Sequence, residues 1–247
     1  MNPSPAFFTL IVFAAEIAAK TVKMLIMVKP RKTRSFSSTP GSPQGTPDFS
    51  ASSDTAPASE LNLVDHFLIA MPSMLDPVFG GTVIYLCEHN TSGALGVIIN
   101  KATDMTMDVL FERIDLKLEI AANRGPFDSK PVMFGGPVQV ERGFVLHSPH
   151  GGFSSMMKVT DDIAMTTSKD VLESVAAGDG PRRILVSLGC AGWSAGQLEE
   201  EIARNGWLTV RADPAIIFDL PIEERFSAAM KLLGFDPAML AGDAGHA

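Results

Sequence analysis

From residue 67 onward, apolar residues come in short runs separated by Gly, Pro and Asp, and most runs are too brief for a helix. Phe67-Leu-Ile-Ala-Met71 predicts a buried strand stopped by Pro72. Gly81 to Glu88 and Ala94 to Asn100 predict two more strands, joined at His89-Asn-Thr-Ser-Gly93 into a hairpin with a loop of about five residues. Val132 to Phe134, Gly143 to His147, Ile184 to Leu188 and Trp207 to Val210 read as further strands, and Met156–Val159 and Ile163–Thr166 as weaker ones. Arg124 to Lys130 and Pro149 to Gly152 read as loops.

Helical spacing is rarer. Val109, Leu110, Ile114 and Leu118 recur at helix period from Met107. Ser168 to Ala177 predicts a helix with Ser168 as its N-cap and Gly178 beyond its end. Ser194 to Asn205 is a helix ended by Gly206, in which Ser194 and Gln197 form a capping box. The clearest amphipathic helix is Pro221 to Leu233, with Ile222, Phe226, Met230 and Leu233 as its apolar stripe, Glu223 and Glu224 in its first turn and Gly234 as its stop. Strands outnumber helices, and several connections are too short for a helical crossover. The pattern therefore predicts an α+β domain with a curved, mixed or mostly antiparallel sheet and flanking helices.

Residues 1–60 follow a different pattern. Ala6 to Val28 is largely apolar but contains Glu16, Lys20 and Lys23, which argues against a membrane span. No Lys or Arg precedes the apolar run, as a signal peptide would require. Lys29 to Arg34 is basic, and Ser35 to Ser59 is rich in Ser, Pro, Thr and Gly, a composition that cannot bury enough apolar area to order itself. Residues 1–60 are therefore expected to be a disordered or non-native extension, with Met24 or Met27 as other start candidates, and residues 61–247 a single domain with a loose tail from Asp236.

Charge narrows the function. The chain carries a net charge of −8. Residues 1–60 hold six Lys/Arg and four Asp/Glu, which leaves 14 basic and 24 acidic side chains, net −10, in the expected domain. Such a surface repels phosphate backbones, and no helix-turn-helix pattern is present, so the expected partners of the folded part do not include nucleic acid, and direct DNA contact is kept only as an alternative. The two cysteines, Cys87 and Cys190, end apolar runs and read as buried thiols in a reducing cytosol rather than as a disulfide framework.

Three patterns invite a catalytic reading. Gly192-Trp-Ser-Ala-Gly196 matches G-x-S-x-G between a strand and a helix, but the only later histidine is His246, so a hydrolase triad in its usual order is incomplete. Cys87-Glu88-His89 would place Cys87 and His89 on one face of a strand and, with Cys190, His147 or His150, could form a thiol–imidazole pair or a zinc site; no C-x-x-C or H-x-x-x-H spacing supports this. Gly135-Gly-Pro137 and Pro149-His-Gly-Gly152 could present backbone N–H groups to an anion but match no phosphate-loop pattern. Arg142 could clamp a carboxylate. The expected ligand surface comprises Gly135, Gly136, Arg142, His147, Gly192, Trp193 and Gly196, polar or glycine-rich positions at strand ends. No catalytic residue, metal ligand or cofactor is assigned.

Phe67-Leu-Ile-Ala-Met-Pro-Ser-Met-Leu-Asp-Pro-Val-Phe79, Val83 to His89, Gly93 to Asn100, Gly135-Gly-Pro-Val138, Arg142 to His147 and Gly189-Cys-Ala-Gly-Trp-Ser-Ala-Gly-Gln-Leu-Glu199, taken in order, resemble the YqgE/AlgH family of bacterial proteins. Lys101-Ala102 stands where that family usually has proline, and Phe226 where it usually has tryptophan. The resemblance implies a compact α+β fold, a bacterial cytoplasmic setting and an upstream start as the account of residues 1–60. It supplies no catalytic residues. The family's frequent description as a transcriptional regulator fits poorly with the charge of −10. The resulting expectation is a non-enzymatic protein that binds an unknown protein or small-molecule partner, with an indirect regulatory effect. A Cys/Ser–His hydrolase or thiol enzyme and a direct DNA-contacting regulator are the alternatives.

Overall fold

The structure is a computed structural model that describes residues 62–116 and 130–234. The N-terminal extension, Leu118, residues 124–129 of the predicted Arg124–Lys130 loop, the tail from Asp236 and His246 lie outside the described residues. Ten strands form one curled sheet among the described residues: β1 (His66–Ala70), β2 (Val83–Asn90), β3 (Gly93–Ile98), β4 (Ala102–Thr106), β5 (Pro131–Phe134), β6 (Val138–Ser148), β7 (Met156–Lys158), β8 (Ala164–Thr166), β9 (Arg183–Ser194) and β10 (Trp207–Arg211). The main path runs β10-β1-β2-β3-β9-β6-β8-β7, with β5 pairing β9 and β4 pairing β5. The β5–β9 pairing is parallel, and every other strand pair among the described residues is antiparallel. The mixed, mostly antiparallel α+β architecture predicted from the short connections is therefore the one observed.

The helices are α1 (Met107–Arg113), α2 (Asp170–Ala177), α3 (Gln197–Ala203), α4 (Pro214–Phe218) and α5 (Ile222–Leu232). Alternation along the strands sorts their side chains to the two faces of the sheet. Phe67 and Ile69 of β1, Tyr85 of β2, Val97 of β3, Phe144 and Leu146 of β6 and Cys190 of β9 pack into one cluster with Ile216 and Phe218 of α4 and Ala229 and Met230 of α5. The opposite face is covered in two places. Leu68, Ile84, Leu86, Trp193 and Trp207 meet Leu198 of α3. Val132, Val145 and Val186 meet Leu110 and Phe111 of α1 and Val171 of α2.

Several boundaries move, each for a local reason. The β2–β3 hairpin is tighter than predicted: Asn90 pairs with Gly93, so only Thr91 and Ser92 form the turn. The strand predicted from Ile184 to Leu188 continues to Ser194, because β9 changes partner along its length, from β6 and β5 to β3. Glycine at 189, with φ +75, bends the chain where the partners change. Consequently α3 begins at Gln197, and left-handed Gly196 occupies its N-cap. Gln197 Oε1 still accepts from the Ser194 N–H at 3.1 Å, which is the glutamine half of the predicted capping box, but the Ser194 hydroxyl donates to that same oxygen and caps nothing. Ser168 is likewise not the N-cap of α2. Lys169 holds that place, and the Asp170 carboxylate accepts from the Ser168 hydroxyl and the Val171 N–H. Helix α4 has no counterpart in the predicted elements because five residues are too few to show a period, although Asp213, which accepts from the Ala215 N–H, followed by Pro214 is a cap signal. Strand β4, whose exposed and half-buried residues alternate without an apolar run, was equally silent.

Candidate functional site

The β5–β6 connection crosses β9 so closely that side chains are excluded. A Cβ on Gly135 would lie 2.1 Å from the Gly189 carbonyl oxygen, and one on Gly136 would lie 2.3 Å from the carbonyl group of Cys190. Gly136 also has φ +147. The Gly135 N–H donates to the Leu188 carbonyl at 2.8 Å, and its own carbonyl accepts from the Ile98 N–H at 2.9 Å. The main-chain groups of Gly135 are thus engaged with neighbouring strands, and the glycines bring β3, β5 and β9 to one point.

Beyond the crossing, β6 bulges. Val138 pairs with Cys190 and Gly143 with Leu188, so β6 accommodates three more residues than β9 over the same distance. The bulge turns Gln139, left-handed at φ +50, and Arg142 out of the ladder. The Arg142 guanidinium donates to Thr167 Oγ1 at 2.8 Å and to Gln139 Oε1 at 3.3 Å and lies 5.9 Å from the centre of the Phe144 ring. No carboxylate of the described residues lies within 4 Å of it. Arg142 borders a cleft of about 260 Å³ whose apolar wall includes Leu95, Phe144, Met156, Met157 and Met165. Val138, 41% exposed, packs 3.8 Å from where a Gly192 side chain would begin. Four of the predicted surface residues, Gly135, Gly136, Arg142 and Gly192, are therefore brought to one region by β6 and β9.

The other three point elsewhere. His147 follows Leu146 on the strand and so faces away from the Phe144 cluster. It is fully buried, with Nε2 2.8 Å from Thr166 Oγ1, Nδ1 3.2 Å from the Pro149 carbonyl and its ring edge-on to Phe153. Burial pushes its pKa below the ordinary histidine value, against the pull of the Pro149 carbonyl. Trp193 packs on the α3 side, where its indole N–H and that of Trp207 both donate to Glu201 Oε2, at 2.9 and 2.8 Å. Gly196 belongs to the start of α3.

Cys87 and His89 do not share a face. The ladder slips between Leu86 and Glu88, so Cys87 sits in a bulge and joins the Tyr85 cluster. His89 turns the other way: Nδ1 accepts from the Leu63 N–H at 3.1 Å, and Nε2 faces Glu199 at 3.0 Å. Burial raises the pKa of both thiols, that of Cys190 to about 11 despite the Arg142 charge nearby, so neither is poised as a thiolate at neutral pH. Ser194 is bonded to Gln197, as above. Among the described residues no group of three His, Cys, Asp or Glu side chains could hold a metal ion.

A second cleft, of about 380 Å³, opens where the α4–α5 turn meets β5 and β9, and Arg225 lies on its wall. Sequence reading missed this residue. Arg225 is 7% exposed, and its side chain donates from Nη1 to the Ile99 carbonyl at 2.5 Å and from Nε to the Leu220 carbonyl at 3.1 Å. The available signal was helical spacing: residue 225 falls at i+3 from Ile222, inside the stripe assigned to apolar residues.

A model of the AlgH-like family matches residues 67–238, which includes both clefts and the glycine crossing. The chain belongs to the AlgH-like family. A UPF0301 protein of Ralstonia nicotianae is 62% identical over 192 residues, 78% of this chain and 99% of that one. A UPF0301 protein of Burkholderia cenocepacia is 61% identical, over 77% of this chain and 98% of its own length. The solution structure of AlgH from Pseudomonas aeruginosa is similar at 47% identity with a TM-score of 0.61, covering 77% of this chain and 98% of that one. A crystal structure of a Corynebacterium diphtheriae protein, at 18% identity and a TM-score of 0.55, covers 69% of this chain and 87% of its own and shares the fold alone. No helix among the described residues is long and apolar enough to cross a membrane.

Proposed function

We propose that this AlgH-like protein is a non-catalytic binding protein of the bacterial cytoplasm that engages a partner protein at the Arg142 cleft, with an indirect regulatory effect. One observation carries the reading: an exposed guanidinium, steadied by Thr167 and Gln139 yet without a carboxylate partner among the described residues, stands at the mouth of a methionine-lined hollow. Methionine adapts to varied apolar shapes, and a planar guanidinium recognises a carboxylate through paired hydrogen bonds. The hollow is slightly below the roughly 300–1,000 Å³ usual for small-molecule sites, so it suits one apolar side chain beside an acidic one. Met156 of this wall is itself exposed. The absence of a thiolate-forming cysteine and the full engagement of His147 support a role in binding over chemistry.

The test is a photo-crosslinking amino acid at position 156 in the full chain, expressed in its host and compared with the same label at exposed Lys231. A discrete crosslinked partner is expected at 156 only. Adding Arg142→Glu should remove it while the circular dichroism spectrum and urea midpoint stay unchanged. A crosslink that survives Arg142→Glu, or that forms equally at 231, sinks the proposal.

A further inference from the structure

Arg225 is among the least accessible charged side chains described, and its charge has no carboxylate within 4 Å among the described residues. The Ile99 and Leu220 carbonyls occupy Nη1 and Nε and leave Nη2 without an acceptor. No fully buried side-chain nitrogen or oxygen among the described residues lacks a partner, so Nη2 is reached by solvent, and Arg225 lines the cleft of about 380 Å³. Burial lowers the pKa of Arg225 to about 10, which leaves it protonated at neutral pH. The rest of the wall is largely apolar, with Met133, Ile184, Phe218 and Ile222. Ile222 and Glu223, whose N–H groups at the start of α5 have no acceptor within the helix, line the same space.

We infer that this second cleft is a binding site for a small monocarboxylate with an apolar body, its carboxylate on Arg225 Nη2 and the N-terminal N–H groups of α5 and its hydrocarbon against Met133, Phe218 and Ile222. The charge selects a monoanion. Glu223 acts on the guanidinium from beyond 4 Å and lines the cleft with Lys130 and with Asp219, itself paired to Arg183, so a phosphate dianion meets more repulsion from these acids than a single carboxylate does. The guanidinium presents one free nitrogen rather than a two-pronged edge, which again suits a carboxylate oxygen better than a phosphate clamp. The cleft falls at the lower end of the range for small-molecule sites, the size of a short-chain acid rather than a cofactor. This inference is independent of the partner-binding role of Arg142.

The experiment is a titration of the full ¹⁵N-labelled chain with octanoate, with octylammonium and inorganic phosphate as controls. Octanoate should produce saturable shifts at the Arg225 Nε–H and at the Ile222 and Glu223 amides; the controls should not. Glu223→Gln should tighten octanoate about two- to threefold by removing the repulsion, and Arg225→Lys should weaken it about tenfold by replacing a positioned planar donor with a mobile one. Because Arg225 also holds two carbonyls, Ile222→Trp provides a second variant that fills the cleft and should abolish the shifts without touching the guanidinium. Arg142→Met should leave them unchanged. Octanoate shifts that never saturate, equal shifts from octylammonium, survival in Ile222→Trp, or loss in Arg142→Met would each overturn the inference.

Discussion

Two groups of glycines in this protein face opposite physical demands. At the crossing, Gly135, Gly136 and Gly189 are compressed by main chain: a Cβ on any of them would approach a carbonyl group to between 2.1 and 2.3 Å. At the corner that leads into α3, Gly192 would meet nothing nearer than a Val138 methyl at 3.8 Å, and Gly196 nothing within 4 Å. The corner is instead closed by side chains, with Glu201 accepting from Trp193, Trp207 and Gln197. Glycines of the first kind build the scaffold. Those of the second leave surface open, and Gly192 has Val138 of the β6 bulge as its neighbour.

The sharpest way to break this contrast is a pair of alanine substitutions. Gly135→Ala cannot be relieved by a rotamer change, because the atom it meets is backbone, and should destabilise by about 3 kcal/mol or more. Gly192→Ala should stay within about 0.5 kcal/mol. Urea unfolding of both measures the difference, and equal effects would show that the crossing is not the close contact described.

A smaller effect tests how the corner is closed. Glu201→Ala removes the acceptor of two indole N–H groups and of the Gln197 amide. A loss of about 1–3 kcal/mol is expected, with red-shifted tryptophan fluorescence as the indoles seek water. If Glu201→Ala unfolds like the parent, the corner is held by apolar packing of Trp193 and Trp207 alone, and the carboxylate is incidental.

The same distinction between closed and open groups explains what was legible in the sequence. Apolar runs located β1, β2, β3 and the first half of β9, because burial on both faces leaves a continuous signal. Short elements with mixed burial, β4 and α4, left none. For the site, residue type marked polar positions but could not say which way they faced. His147 and Arg142 lie five residues apart on one strand, yet opposite faces of the sheet and the bulge between Val138 and Gly143 send one into the core and the other to a cleft. Bulges change parity, and nothing in the sequence of β2 announces the one that separates Cys87 from His89. Arg225 was hidden for the converse reason: a charge on an apolar stripe reads as a helix edge until two carbonyls are found waiting for it.

The smallest predicted effect is a pH dependence that sharpens the contrast between His147 and Arg142. Burial favours the neutral ring of His147, so its folded-state pKa lies below the 6.5 of an ordinary histidine. Between those two values the unfolded chain binds a proton that the folded chain does not, so stability is fully present above pH 6.5 and declines as pH falls below it, levelling off at the folded pKa. Hydrogen bonds to Thr166 and the Pro149 carbonyl account for both ring nitrogens, and exposed His150 adds repulsion against a second positive charge. His147→Gln removes this titration while retaining a polar side chain for Thr166. Urea midpoints measured from about pH 7.5 to about pH 5.5 should therefore fall less steeply in His147→Gln than in the parent, by a difference of under about 1 kcal/mol. Arg142→Met, which alters an exposed side chain on the other side of the sheet, should leave the parent slope intact. A parent slope that His147→Gln does not reduce would mean that the ring is hydrated in solution and belongs with the open groups beside Arg142.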